Sequence, residues 1–148
     1  MKLVLILLFA IAVQAQTGTV AKSTEQCDSG NARPEKDLRP AVAFFANLQK
    51  AVAKDDRKRV ADMIEYPLRV SGQNRVHNRT AFLRFYDRIF DANVRKAIAD
   101  QVPECIFGNW QGFMAGNGEV WFDQRGHGSV RVIAVNSESW PKSPIHKK

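Results

Sequence analysis

Few side chains in this sequence could transfer a proton, and the two candidates for a catalytic base are Asp87 and Asp123. A carboxylate serves as a base near neutral pH when burial raises its pKa. His77 and His127 lie in polar segments, and no two histidines have the helical or strand spacing of a metal site. No G-x-S-x-G motif marks a serine nucleophile. The sequence therefore predicts neither a metal nor a cofactor, and it leaves catalysis open.

Acidic and aromatic side chains alternate from Glu119 to Asp123. In a strand, Glu119, Trp121 and Asp123 share one face, while Val120 and Phe122 share the other. One interpretation buries the two apolar residues and leaves the other three facing water or a neighbour. The alternative makes Trp121 a stacking wall, with the two carboxylates as polar anchors for a cationic or sugar-like ligand.

The chain has two cysteines, Cys27 and Cys105, and no C-x-x-C pair. In an oxidising compartment, such a pair favours a disulfide over a metal or redox site. The bond would hold the N-terminal segment against the rest of the chain. Two buried free thiols are the alternative.

The N-terminus indicates the compartment. Met1-Lys2 is a short positive region, residues 3–13 are apolar, and Val13-Gln14-Ala15 fits a signal peptidase site. The apolar run is shorter than the roughly 20 residues that cross a bilayer. We therefore predict a signal peptide over residues 1–15, cleavage near Ala15, and a periplasmic or secreted protein without a membrane span.

The chain carries a net charge of +7, or +6 once Lys2 is removed with the signal. Its only tight basic cluster is Arg57-Lys58-Arg59, whereas a nucleic-acid face usually combines clustered basic residues with aromatic ones. The sequence therefore predicts no nucleic-acid partner. The charge remains compatible with an acidic partner or an anionic surface.

Apolar residues at helical spacing indicate that helices come first in the chain. The first helix is predicted over about 40–54, and Asp55 or Asp56 can cap a second short helix. A third helix is predicted up to about Phe90, and a fourth that stops at Pro103. Tyr66-Pro67 ends the second helix, because the residue before a proline is biased away from helix. The third helix is expected to begin at Asn78 or Thr80, and the fourth at Asp91 or Asn93.

Strands are predicted mainly in the last third of the chain. Asn117-Gly118 predicts a hairpin between two of them. The strand candidates are residues 68–70, 105–107, 110–115, 119–123 and 129–135. Around them, residues 16–38 are expected to form a flexible leader, 39–136 one domain, and 137–148 a loose basic tail. The predicted class is α+β, with N-terminal helices packed on an antiparallel sheet.

Three segments carry a resemblance to a known superfamily. They read FFANLQKAVAKDDRKRVADMIEYPLRV (residues 44–70), NRTAFLRFYDRIF (residues 78–90) and GEVWFD (residues 118–123). In order and pattern they resemble the nuclear transport factor 2-like superfamily, also called the SnoaL-like or cystatin-like cone fold, and its small exported bacterial members. The resemblance implies helices on a curved sheet around a conical cavity, and in many members a homodimer formed through the sheet.

The resemblance leaves function open, because this fold carries isomerases and cyclases as well as binding proteins. In the isomerases the base comes from the strand that reads Tyr66-Pro67-Leu68-Arg69-Val70 here, and this strand has no carboxylate. An arginine at that place holds an anion rather than accepting a proton. The departure argues against isomerase chemistry.

We therefore expect a non-catalytic binding module for a small ligand or a protein partner. Arg69 is expected to pair with an anion or a pocket carboxylate, and Tyr86 is alternatively a core residue with a satisfied hydroxyl. An enzyme of isomerase, cyclase or hydratase type, with Asp87 or Asp123 as base, and a surface-acting inhibitor or interaction protein remain the other readings. The expected ligand-binding residues are Tyr66, Arg69, Tyr86, Trp110, Glu119 and Trp121.

Overall fold

The structure, a computed structural model, describes Cys27 and residues 35–125 and 128–141. The predicted signal peptide, most of the predicted leader, His127 and residues 142–148 lie outside these ranges. The described helices are α1 (Glu35–Ala53), α2 (Arg57–Asp62), α3 (Arg79–Arg84), α4 (Tyr86–Ile89) and α5 (Ala92–Asp100). The strands are β1 (Ile64–Val70), β2 (Asn74–Val76), β3 (Phe107–Asn109), β4 (Gly112–Ala115), β5 (Val120–Gln124) and β6 (Val130–Val135).

Helix α1 packs through an apolar stripe in which Ala41, Phe45 and Leu48 recur at helical spacing and are fully buried. The helix begins at Glu35, earlier than the predicted start near residue 40. The prediction placed Pro40 in the first turn, where proline is favoured, whereas it lies in the second. Residues 35–38 therefore belong to α1 rather than to the leader. The prediction missed them because the first turn is polar and apolar periodicity does not detect it.

Three of the following helices begin at side chains that cap them. Asp56, Asn78 and Asp91 each accept a hydrogen bond from the backbone N–H three residues later, at 2.9 or 3.0 Å. These bonds satisfy N–H groups that have no partner within the helix. The single helix predicted up to Phe90 is interrupted at Phe85, which separates α3 from α4.

The strands form one six-stranded, curved and unclosed sheet in the order β2-β1-β6-β5-β4-β3. The α+β class is confirmed, but the sheet is mixed rather than antiparallel, because β1 and β6 run parallel. Local hairpins explain the antiparallel neighbours. The β1–β6 pair joins strands separated by three helices and four strands, so no local pattern could predict its direction.

Aromatic rings occupy the interior between the helices and the sheet. Phe45 of α1 stacks on Phe122 of β5, with ring centroids 5.5 Å apart. Phe82 meets Tyr86 and Phe90 edge-on at 5.7 and 5.8 Å. These rings are almost completely buried, so this part of the interior is packed with side chains.

The predicted disulfide between Cys27 and Cys105 is confirmed, with the two Cα atoms 5.1 Å apart. It attaches the N-terminal segment beside the 3₁₀ turn Pro103–Cys105. None of the helices in the described ranges is long and apolar enough to cross a membrane.

The start of the predicted loose tail is attached to the fold. Ser137 is buried, and its hydroxyl contacts the carboxylate of Asp91 at 2.8 Å. Ser71 donates a hydrogen bond to the carbonyl of Ser137 at 2.6 Å, and the ring of Trp140 packs edge-on against Phe85. The prediction missed this anchoring because the partners are distant in sequence.

Candidate functional site

Two neighbouring rows of side chains cross the sheet and point to opposite faces. One row consists of buried core residues: Val70, Val135, Val120 and Ala115. The next row lies one residue away along each strand, so it points away from the core. We call it the outer row, and from β3 to β2 it consists of Phe107, Met114, Trp121, Ala134, Arg69 and Arg75. It is apolar at the β3 edge and basic at the β2 edge.

A groove of about 330 Å³ opens at the basic end of the outer row. We call it the arginine groove, because three of its lining side chains are arginines. The residues that line it are Glu65, Tyr66, Pro67, Arg69, Arg75, Arg125 and Ile133. Two residues of the predicted binding set, Tyr66 and Arg69, therefore do lie together.

Two of the arginines in this groove lie opposite each other, and none of the three is paired with an acidic side chain in the described part of the chain. Arg69 lies directly opposite Arg75 in the β1–β2 pair, a placement that destabilises a sheet when the charges are alike. Among the described residues, no hydrogen bond or ion pair engages the guanidinium of Arg69 or Arg125, and Glu65 forms none with them. Arg75 makes only a long contact, 3.4 Å, to the carbonyl of Asn74. The groove is therefore equipped to accept an anion.

Tyr66 forms the less polar wall of the groove. Its hydroxyl donates a hydrogen bond to the carbonyl of Ala61 at 3.1 Å, and its ring meets Phe82 edge-on. Burial raises the pKa of Tyr66 to about 12, so the phenol is neutral at physiological pH. It can contribute a ring surface but adds no charge.

Tyr86 lies in the core rather than in the arginine groove. It is 1 % exposed and stacks on Phe90 at 5.4 Å. The guanidinium carbons of Arg57 and Arg95 lie 4.8 and 5.3 Å from its ring centroid. Its hydroxyl is buried without a hydrogen-bond partner in the described part of the chain, and burial raises its pKa. The core alternative for Tyr86 is thus the one observed, although its hydroxyl is not satisfied.

Trp110 and Glu119 lie away from the groove, at the two ends of β4. Trp110 is 85 % exposed in the turn between β3 and β4. Glu119 precedes β5, and its carboxylate bends back to accept a hydrogen bond from the N–H of Asn117. The predicted alternation along the strand therefore fails at Glu119, because this residue lies in the turn between β4 and β5. Trp121 alone of these three lies in the outer row.

Neither candidate base is a buried acid. Asp87 is exposed and accepts two hydrogen bonds from Arg57, at 2.8 and 2.9 Å, and one from Arg95 at 2.7 Å. The hydrogen bonds from Arg57 lower the pKa of Asp87, the opposite of what a neutral-pH base requires. Asp123 is half-buried and lies opposite Arg131 in the β5–β6 pair.

Arg75 and Arg125 were not singled out from the sequence. For Arg75 a signal was available, since a hairpin centred on Gly72 sets residue 69 opposite residue 75. Gly72 has a φ of +91°, which suits such a turn. Arg125 carried no comparable signal, because it enters the groove from the far end of β5 through tertiary folding.

The residues that the structure describes contain no cluster of three or more histidine, cysteine or acidic side chains able to hold a metal ion. Comparisons with known protein families, with curated proteins and with solved structures find no match for this chain. Membership of the nuclear transport factor 2-like superfamily and a dimer through the sheet therefore stay predictions.

Proposed function

We propose that this protein is an exported, non-catalytic binding module that holds an anionic ligand in the arginine groove. The observation that carries the proposal is the set of three arginines around one groove, two of them directly opposite each other. The predicted signal peptide and the disulfide support a location outside the cytoplasm.

The electrostatics of the groove favour an anion over other ligands. Among the described residues that line the groove, Glu65 is the one acidic residue, against three arginines. Opposed like charges cost about 0.2–1 kcal/mol across a strand pair, and a bound anion converts this repulsion into attraction. Guanidinium groups bind carboxylate and phosphate in a bidentate, charge-assisted manner. The ligand class is therefore a carboxylate, phosphate or sulfate group.

The order of helices and sheet, and the packing of the interior, also support the proposal. Helices followed by a curved, unclosed sheet are what the nuclear transport factor 2-like resemblance implies, and we propose membership on that basis. The aromatic rings that occupy the described interior support binding on the outer face of the sheet. The lowered pKa of Asp87 argues for binding rather than acid–base catalysis.

Thermal unfolding in the presence of inorganic phosphate tests the proposal. Phosphate is titrated against sodium chloride at equal ionic strength, and we expect a saturable rise in Tm. At ten times the Kd, the gain in unfolding free energy is about 1.4 kcal/mol. The double variant Arg69→Gln/Arg75→Gln should lose the saturable rise.

The stability of the same variant without phosphate separates anion binding from general screening of the protein's charges by salt. Without phosphate it should be as stable as the parent or slightly more stable, because the opposed charges are gone. Arg84→Gln is the matched control, since Arg84 is an exposed arginine of α3 outside the groove. An equal phosphate response in the parent, the double variant and the control would contradict the proposal.

A further inference from the structure

We infer that the ligand of the arginine groove is a monomeric amphiphile, with its anionic head between Arg69 and Arg75 and its apolar body along the rest of the outer row. The inference rests on the proposed function, since it adds an apolar body to the anion already assigned to the groove. It is carried by the composition of the row, which changes from basic to apolar across the same face of the sheet.

The row is continuous across all six strands. Arg69 is in register with Ala134, Ala134 with Trp121, and Trp121 with Met114. Ala134 is small and 1 % exposed, so larger neighbouring side chains cover it and a ligand that crosses the row here lies on those neighbours. It belongs to the buried residues but not to the main core cluster, as expected of a residue shielded by its neighbours on the outer face.

The apolar part forms one surface. The Nε1 atom of Trp121 and the Sδ atom of Met114 lie 3.5 and 3.6 Å from the point that a Cβ on Gly118 would occupy. The two side chains are therefore neighbours, and Phe107 extends the surface by one strand. All three are half-buried, so they offer contact area within the surface without projecting from it.

Strand spacing gives the dimensions of the ligand. Neighbouring strands lie about 4.8 Å apart, so Trp121 lies roughly 10 Å from Arg69 and Phe107 roughly 19 Å from it. The matching molecule has one anionic group and an apolar body that begins to gain contact within about 10 Å of it. Its length on the row is limited to about 19 Å.

The occupant is a single small molecule rather than a bilayer. Insertion into a bilayer requires apolar side chains that project beyond the charged ones. In the outer row the aromatic and basic residues lie side by side on one sheet face, and the projecting tryptophan, Trp110, is in a turn outside the row. A linear charge-to-apolar gradient matches a molecule lying flat along the row.

Calorimetric titration with inorganic phosphate and with hexyl, octyl and decyl phosphate, each below its micelle concentration, tests the inference. We expect affinity to rise by about tenfold for each pair of methylene groups that becomes buried on the row. Trp121→Ala should abolish the dependence on chain length while leaving phosphate binding, which also reports that the variant is folded. Trp110→Ala is the matched control and should behave like the parent.

The outcomes separate the inference from the proposed function. If decyl phosphate binds no more tightly than phosphate, the inference of an amphiphilic ligand is wrong, while the proposed anion site is retained. If none of the four compounds binds, both are wrong. Binding to phosphatidylglycerol vesicles without binding to monomeric octyl phosphate would overturn the choice of a single small molecule.

Discussion

The disulfide gives the sharpest prediction about stability. Cys27 and Cys105 are separated by 78 residues, so their bond closes a long loop in the unfolded chain. The loop-entropy relation assigns such a closure about 15 cal/mol/K, or about 4.5 kcal/mol at 25 °C. The full amount applies if the native structure places Cys27 beside Cys105 even without the bond.

The structure indicates that Cys105 is held by contacts other than the disulfide. Gln101 donates a hydrogen bond to the carbonyl of Cys105 at 2.9 Å, so Cys105 stays in place when the bond is lost. The loss therefore acts mainly on the unfolded chain, which regains the freedom that the closed loop removed. A single domain has about 5–15 kcal/mol of total stability, so the disulfide contributes a large share of it.

The assay is urea unfolding of the parent and of the Cys27→Ser/Cys105→Ser variant, followed by tryptophan fluorescence. With an m-value of about 2 kcal/mol/M, we expect the midpoint to fall by about 2 M. The reduced parent is the control and should unfold together with the variant. A loss below about 1 kcal/mol, at an unchanged m-value, would refute the loop-closure reasoning.

Two further predictions concern the carboxylates. Burial opposes ionisation of Asp91, but hydrogen bonds to its carboxylate, including one from Ser137, outweigh this and lower its pKa. Asp91→Asn should therefore lower the free energy of unfolding by about 2–3 kcal/mol at pH values above the unfolded-state pKa of about 3.9, as measured by chemical unfolding. The difference between parent and variant should shrink as the pH falls below that value. A difference independent of pH would contradict this. For Asp87, Arg57→Gln should raise its lowered pKa toward the ordinary value in an NMR titration, because Arg57 supplies the largest stabilisation of the carboxylate; a parent pKa above the ordinary value would restore Asp87 as a candidate base.

Much of the fold was accessible from the sequence because it depends on neighbours a few residues apart. Apolar spacing located most of the helices, but the second helix ends at Asp62 and Tyr66-Pro67 lies within β1 instead of ending it. Each capping residue was among two candidates in the sequence, and the caps observed are Asp56, Asn78 and Asp91. The hairpin at Asn117-Gly118 joins β4 to β5 as predicted. The cysteine pair was predicted from chemistry and compartment alone.

The site was only partly accessible. Tyr66 and Arg69 were predicted and do lie together in the groove, and Trp121 lies in the same row as Arg69. Trp110 and Glu119 were misplaced, because a turn of two residues at one end of β4 and a longer turn at the other removed them from the strands. A shift of one residue at a strand end changes the face that a side chain occupies.

The sequence by itself determined where most helices lie, the candidate capping residues, the hairpin at Asn117-Gly118, the favoured cysteine pairing and the basic charge, since each depends on composition or on nearby residues. Tertiary structure alone decided the parallel β1–β6 pair, and with it the alignment of Arg69 with Trp121 across the sheet. The register between strands so distant in sequence depends on which faces can be buried together in the whole domain. The meeting of Arg125 with Arg69 and Arg75 follows from that register, and no local pattern contains it.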